Sequence, residues 1–383
     1  MLGLCVGVCA CQPTNLAAFI PSGQPAQSST SEQVSLTTIA SFQGSDGTRP
    51  LGVVRARDGN FYGVTESGGL GPGVIFRLTP DGQIKALVQF NSQTNGDNPE
   101  AELILGRDGN LYGTTSGGGG ANGGGFGTVF RVTTEGQLTT LAVFDRHNGS
   151  NPYRPLLQAQ DGNFYGTTYM SGANQQGTVF RLTPTGELTT LIHFKVGTVP
   201  GALDLMQDRA GNFYVTHGNF YGTQYMADGA ATIFRLTADQ KLIPLTSFVG
   251  TNQKFSPEAY PSGLIQARDG NFYGVTLFGT LFRLTPDGQR TTIATFEPKF
   301  FPNRLIQGSD GNFYGTATGR EPTDPGMVFR ATPQGQITPL VYFTGRNGNF
   351  PNSLIEVENG TFYGTTARGG EHDQGTVFKL TLR

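Results

Sequence analysis

"QARDGNFYGVTLFGTLFRLTPDGQRTTIATF", residues 266–296, decides how this chain folds. Two apolar residues, Leu264-Ile265, stand just before it and read as a first strand, a. The Asp-Gly pair predicts a two-residue reversal of type I′, since both residues tolerate positive φ. It delivers the chain into Asn-Phe-Tyr-Gly-Val-Thr, strand b, rich in β-forming residues. After a short break, Thr-Leu-Phe-Arg-Leu-Thr reads as strand c. Pro-Asp-Gly-Gln marks a second tight turn and opens strand d, which runs to Phe296. The stretch is a four-stranded antiparallel meander.

Close variants recur along the whole chain. Anchored on Asp-Gly-Asn-Phe-Tyr, the copies fall at Asp58, Asp108, Asp161, Ala210 (as AGNFY), Asp269, Asp310 and Asn359 (as NGTFY), 41 to 59 residues apart. A period near fifty belongs to propeller blades or solenoid turns. The ends of the array choose between them. The last copy stops at "GTVFKLTLR" after strand c, whereas residues 34–42, "VSLTTIASF", match strand d and precede the first strand a. An open solenoid has no use for that offset, but a ring does, because the N-terminal strand then completes the last blade and covers an open edge. The expected fold is all-β: a seven-bladed propeller over residues 34–383, four strands to a blade. In blade four, "HGNFYGT" at 217–223 repeats the text at once, and this surplus is placed between strands b and c. Blade five is short because "LFG" replaces the usual Gly-rich loop.

The motif DGNFYGTT…GTVFRLTP, repeated in register, resembles the choice-of-anchor tandem-repeat family, also called GloVer-repeat proteins, over essentially residues 34–383. The resemblance implies an exported, surface-associated bacterial propeller of unassigned activity. More distantly the arrangement is similar to streptogramin-lyase-like propellers, some of which are enzymes.

Composition agrees with a turn-dense β protein: 57 Gly and 28 Phe, no Trp, and 14% charged residues. A net charge of -2 lacks the basic footprint that nucleic acid requires. All three cysteines, Cys5, Cys9 and Cys11, lie in the first eleven residues, so the repeats contain neither a disulfide framework nor thiolate ligands. Residues 1–20 read as a signal-like or lipoprotein-like segment, with Cys11 the candidate for lipidation, and residues 21–33 as a flexible linker. The expected location is extracytoplasmic, as a monomer whose only membrane contact would be an N-terminal lipid.

Repetition separates architecture from function, because one functional site in a ring must break the symmetry. The Asp of each Asp-Gly turn, the Phe-Tyr pairs of strand b, and the basic series Arg77, Arg131, Arg181, Arg235, Arg283, Arg330 and Lys379 therefore read as blade structure. For the basic residues, stacking on the Tyr of strand b or bonding to carbonyls between blades is the expected role. Antiparallel connectivity puts the tight a–b and c–d turns on one face and the variable b–c and d–a loops on the other, where function is expected. The binding candidates there are Asp46, Arg49, Asp97, Asp145, Arg146, Tyr153, Arg154, Tyr260, Arg346, Glu371 and Asp373. His147 and His372 are weak catalytic candidates. No calcium-loop or phosphate-loop motif occurs, and the glycines at 116–127 join strands rather than open a helix.

The expected function is a non-catalytic binding or scaffold module taking a glycan or protein ligand on the variable face, with no obligatory cofactor. Two alternatives stand beside it. One is a lyase or hydrolase assisted by a divalent cation; the other is a structural surface-layer component.

Overall fold

The computed structural model describes residues 33–120, 124–194, 202–217, 231–248, 260–321, 324 and 326–383. Among them 28 strands, numbered in chain order, form seven four-stranded antiparallel sheets. In six blades the order is sequential. The seventh joins the last three strands, β26 (Asn349–Glu358), β27 (Thr361–Arg368) and β28 (Thr376–Leu382), to the first, β1 (Val34–Ser41), in the order β1-β28-β27-β26. β1 pairs with β28 from Val34 opposite Leu382 to Ser41 opposite Thr376. The ring is closed as the offset of the repeats requires.

Two aromatic series hold neighbouring blades together. The Tyr of strand b packs on the strand-b Phe of the next blade, with centroids 4.1 to 4.6 Å apart, and Phe61 against Tyr363 carries the series across the junction of first and last blade. Where blade two has Leu111 instead of Phe, Tyr62 shares a cluster with it. At six of the seven junctions the Phe ending strand d meets the strand-c Phe of the next blade at 4.8 to 5.3 Å, from Phe42 on Phe76 to Phe343 on Phe378. Such pairs add about 0.5–1.5 kcal/mol each beyond the area they bury. Phenylalanine thus does the work that a chain without Trp must find elsewhere.

The Asp-Gly turns differ from the expected type I′ reversal. Gly59 takes φ 86° while Asp58 keeps a negative φ, and Gly59 N–H donates to Ala56 O as Ala56 N–H donates to Asn60 O. This is a three-residue loop, a type I turn closed by a glycine bulge. The Asp earns its place through its side chain: Asp58 accepts from the Asn60 backbone (3.0 Å), the Asn60 amide (2.8 Å) and the Tyr62 hydroxyl (2.6 Å). The same set recurs at Asp108, Asp161, Asp269 and Asp310. In blade four, where the turn has Ala210, Asp208 supplies the carboxylate from two residues upstream to Asn212 and Tyr214. Partial burial raises the carboxyls of Asp58, Asp108, Asp161, Asp269 and Asp310, and these hydrogen bonds reverse it, so all five lie below the usual Asp range.

Each strand-c basic residue stands opposite the strand-b Tyr in register, as Arg77 does with Tyr62. The expected stacking is seen for Lys379, 5.9 Å from the Tyr363 ring, whereas Arg77, Arg181 and Arg283 bury Nε without a hydrogen-bond partner. In blade five the b–c connection is a tight turn in which Gly279 N–H donates to Thr276 O. The surplus of blade four lies outside the described residues, apart from His217 at the end of β15 (Phe213–His217). His193 is exposed at the end of its strand d, and its Nδ1 accepts from Ala173 N–H at 3.0 Å.

Candidate functional site

The a strands stand innermost, each on the edge of its sheet and touching the a strands of neighbouring blades. Where they leave the variable face they enclose a funnel of about 180 Å³, lined by residues of six blades. In blades two and three strand a shrinks to two residues, β6 (Ile104–Leu105) and β10 (Leu157–Gln158). The stretches freed from pairing carry Glu100, Glu102, Tyr153 and Arg154 into the funnel wall.

The chemistry of the funnel sits at one repeated position. Six residues before each anchor stand Gly52, Glu102, Pro155, Asp204, Gly263, Arg304 and Ser353. The pair that follows is apolar in all seven copies, but this position is occupied by two acids, one base, two glycines, a proline and a serine. Asp204 Oδ1 lies 2.5 Å from Arg304 Nη2, with the side chains only 11% and 29% exposed. The Gly263 N–H donates to the other carboxylate oxygen at 3.0 Å. Burial pushes the Asp204 carboxyl up; Arg304, then Arg154 and the Gly263 amide, overcome this and hold it at about 2. Burial likewise opposes the charge on Arg304, and Asp204 with Glu102 restores it, leaving the guanidinium above its ordinary value.

The glycines make this geometry possible. A Cβ on Gly263, whose φ is +64°, would lie 2.9 Å from Arg304 Cα, so Arg304 crosses blade five to reach blade four only because Gly263 has no side chain. In the same way Glu102 lies against Gly52, where a Cβ would be 2.8 Å from the Glu102 carboxyl carbon. The two asparagines of the funnel serve as staples. Asn303 Nδ2 donates to Pro351 O at 2.7 Å, and Asn352 Nδ2 donates to Pro50 O at 2.7 Å, each reaching the next blade.

Two further groups complete the wall. The Arg154 guanidinium lies 5.1 Å from the Tyr153 ring. Burial raises the Tyr153 hydroxyl to about 12, so it stays a neutral donor. Burial within the funnel also raises the Glu100 carboxyl, with the charges of Glu66 and Asp97 adding to the effect and a hydrogen bond from Ser116 opposing it.

Of the thirteen loop residues singled out in the sequence, the structure brings Tyr153 and Arg154 into the funnel. The others lie on the surrounding loops, except Arg49, which stands near the start of β2 (Thr48–Arg55). Asp46 accepts from Gln43 N–H, Asp145 from the His147 and Asn148 N–H groups, and Asp373 from Gly369 N–H, each closing its own loop. Arg49 pairs with Glu66 at 3.2 Å, Arg146 covers Phe126 at 4.3 Å, and Tyr260 meets Phe278 edge-on at 5.6 Å. Asp97 joins Gly117 through two backbone hydrogen bonds. Arg346, Glu371 and His372 are exposed, and His147, 95% exposed, has Asp145 3.9 Å away. Among the described residues no three His, Cys, Asp or Glu side chains cluster closely enough to hold a metal ion. Asp204 and Arg304 escaped the sequence reading because they belong to strand a, and Glu100 and Glu102 because they lie on the unpaired stretch that leads into it. Aligning the copies and reading the column six before each anchor finds three of the four.

These features define a closed seven-bladed β-propeller with a charged axial funnel. The chain belongs to the Gloeobacter/Verrucomicrobia repeat family, whose profile matches residues 26–217 and 215–383. No curated protein matches it in sequence. Its fold is similar to that of virginiamycin B lyase from Staphylococcus aureus (TM-score 0.64, 15% identity, 92% of this chain and 100% of that one). It is also similar to the extracellular domain of a hybrid two-component system from B. thetaiotaomicron (0.59, 12%, 91% and 42%). A third similar fold is the periplasmic gluconolactonase PpgL of Pseudomonas aeruginosa (0.53, 16%, 87% and 98%).

Proposed function

We propose that this propeller is an extracytoplasmic binding module that receives the end of a glycan chain in its axial funnel without transforming it. The observation that carries this reading is the broken symmetry of the inner strands: acids, bases and a tyrosine converge where the rest of the repeat stays uniform. Fixed acceptors (Glu100, Glu102) and donors (Arg154, Tyr153) suit a ligand whose hydroxyls both donate and accept. A tyrosine ring offers the apolar face that a sugar needs. Ligand pockets that enclose a whole drug-sized molecule run to about 300–1,000 Å³, so a funnel of this size takes the end of a longer ligand.

Protonation bears on the reading without transformation at one carboxylate: general acid–base work favours a group poised near the working pH, and Asp204 is locked as an anion, whereas Glu100, which burial raises, is the funnel group that the lyase alternative would use. The lyase alternative draws on fold likeness to virginiamycin B lyase, of which a histidine-to-alanine variant is inactive. Among the described residues no histidine lines the funnel. An extracytoplasmic setting agrees with similar folds described as extracellular or periplasmic, and lipid on Cys11 would be the tether.

A thermal-shift panel of neutral oligosaccharides tests the proposal. At least one should raise the melting temperature, and Tyr153→Ala with Arg154→Gln should abolish the rise while leaving the unliganded protein folded. No response to any glycan, with capture of a protein partner through the same residues, would replace the glycan reading by the protein one.

A further inference from the structure

The tight-turn face, opposite the funnel, carries a second irregularity. In five of the six c–d turns the closing residue is a glycine at positive φ, lying against the strand-d carbonyl of the preceding blade. A Cβ would fall 2.5 Å from Ile39 O at Gly82, 3.2 Å from Leu87 O at Gly136, 2.7 Å from Leu141 O at Gly186 and 2.6 Å from Leu245 O at Gly288, and closer still to Ile293 O at Gly335. These blades therefore touch backbone to backbone. Blade four breaks the rule with Gln240, at φ 61°. Its neighbour across the interface is Leu191, the counterpart of Leu141 in the preceding copy of strand d. A side chain cannot occupy the glycine's space, and between blades three and four a cleft of about 510 Å³ opens with both Leu191 and Gln240 in its wall.

The cleft has a definite chemistry. Tyr165, Leu191, Phe213 and Leu236 form apolar walls, and among the described residues no acidic one lines it. Alternation along the strand puts Arg181 on the side of its sheet that faces blade four, together with Tyr165, whose ring packs on Phe213. Arg235 of blade four also borders the cleft, but by the same alternation its side chain shares a side with Tyr214, which packs toward blade five, so the cationic group that faces the interface is Arg181. Its Nε is buried without a hydrogen-bond partner. Asp161, whose charge interacts with Arg181, is already held by Asn163 and by the Tyr165 hydroxyl at 2.8 Å. A half-buried guanidinium whose Nε has no partner, beside apolar walls, is complementary to a carboxylate or phosphate carried on a flat apolar body; Arg77 and Arg283 share the unpartnered Nε, and what sets Arg181 apart is the open cleft beside it.

We propose that the Gln240 wedge creates a second binding site between blades three and four, which takes a small cyclic organic anion through Arg181. It is independent of the funnel, on the other face of the ring.

Titration of the full chain with benzoate, followed by ligand-observed NMR at neutral pH and using benzyl alcohol as the uncharged control, tests this. Benzoate should bind with a Kd of about 1 mM, an affinity ordinary for one charge-assisted contact on a small ligand. Gln240→Gly should weaken binding at least about tenfold by letting the blades meet, and should raise the melting temperature because glycine accepts this φ without strain. Arg181→Gln should erase the preference for benzoate over benzyl alcohol. Tyr153→Ala in the funnel should change neither result. Absence of binding up to about 20 mM, a concentration that would reveal even a very weak site, would overturn the proposal. So would benzoate binding that both cleft variants leave intact.

Discussion

Asp204 and Arg304 are one hundred residues apart, in blades four and six, yet Oδ1 and Nη2 meet at 2.5 Å across the backbone of Gly263. The pair joins next-but-one blades, where every aromatic contact of the two repeated series joins adjacent ones. Removing one partner leaves a buried charge uncompensated. Arg304→Met should therefore destabilise the protein by about 3–5 kcal/mol in urea unfolding at pH 7, and Asp204→Leu added to it should recover most of that loss.

The same pair sets an acid limit. The folded Asp204 carboxyl, at about 2, lies below the ordinary Asp value near 3.9. Its contribution is thus complete above about pH 4 and disappears as pH falls through about 2, with a magnitude on the order of 2–3 kcal/mol. The five turn aspartates are lowered too and act in the same direction. The melting temperature should be level from pH 8 to 5, as far as these carboxyls govern it, and fall below pH 4. In Asp204→Asn the fall should be shallower, which a pH series of thermal melts reads directly.

Blade four offers a test of local substitution within the repeat. Asp208→Ala leaves Asn212 and Tyr214 without their acceptor and should cost about 1–3 kcal/mol. Ala210→Asp on that background restores the arrangement of the other blades and should return most of the loss in chemical denaturation. If the second change has no effect, the turn aspartates owe their place to backbone preference alone.

The junction of the ring can be probed through Phe42, fully buried and 5.0 Å from Phe76. Phe42→Ala should cost about 3–5 kcal/mol. A chain starting after residue 42 should lack a cooperative unfolding transition and associate through the bared edge of β28, measurable by calorimetry and light scattering.

The architecture was legible because repetition amplifies weak local signals. One meander is ambiguous, but seven in register with complementary ends specify a ring. Turn type was misread because Asp-Gly suits two loops of different length, and the choice depends on the Asp side chain finding the Tyr hydroxyl four residues on, which a dipeptide does not reveal. Glu102, Asp204 and Arg304 were hidden for a different reason. They stand in strand a or, for Glu102, just before it, where an isolated charge reads as solvent-exposed, and only the ring brings the seven equivalent positions to one axis. Gly263 and Gly52 show no pattern by themselves; their use appears once the neighbouring long side chains are seen to lie across them.

The pairing of Val34 with Leu382 also fixes an order of events. Val34–Ser41 has no seat until Thr376–Leu382, more than three hundred residues on, has been made, so a nascent chain carries an unfinished seam whatever its inner sheets have achieved. Closure of the ring is thereby deferred until β28 exists, and the earlier blades must wait as an open arc.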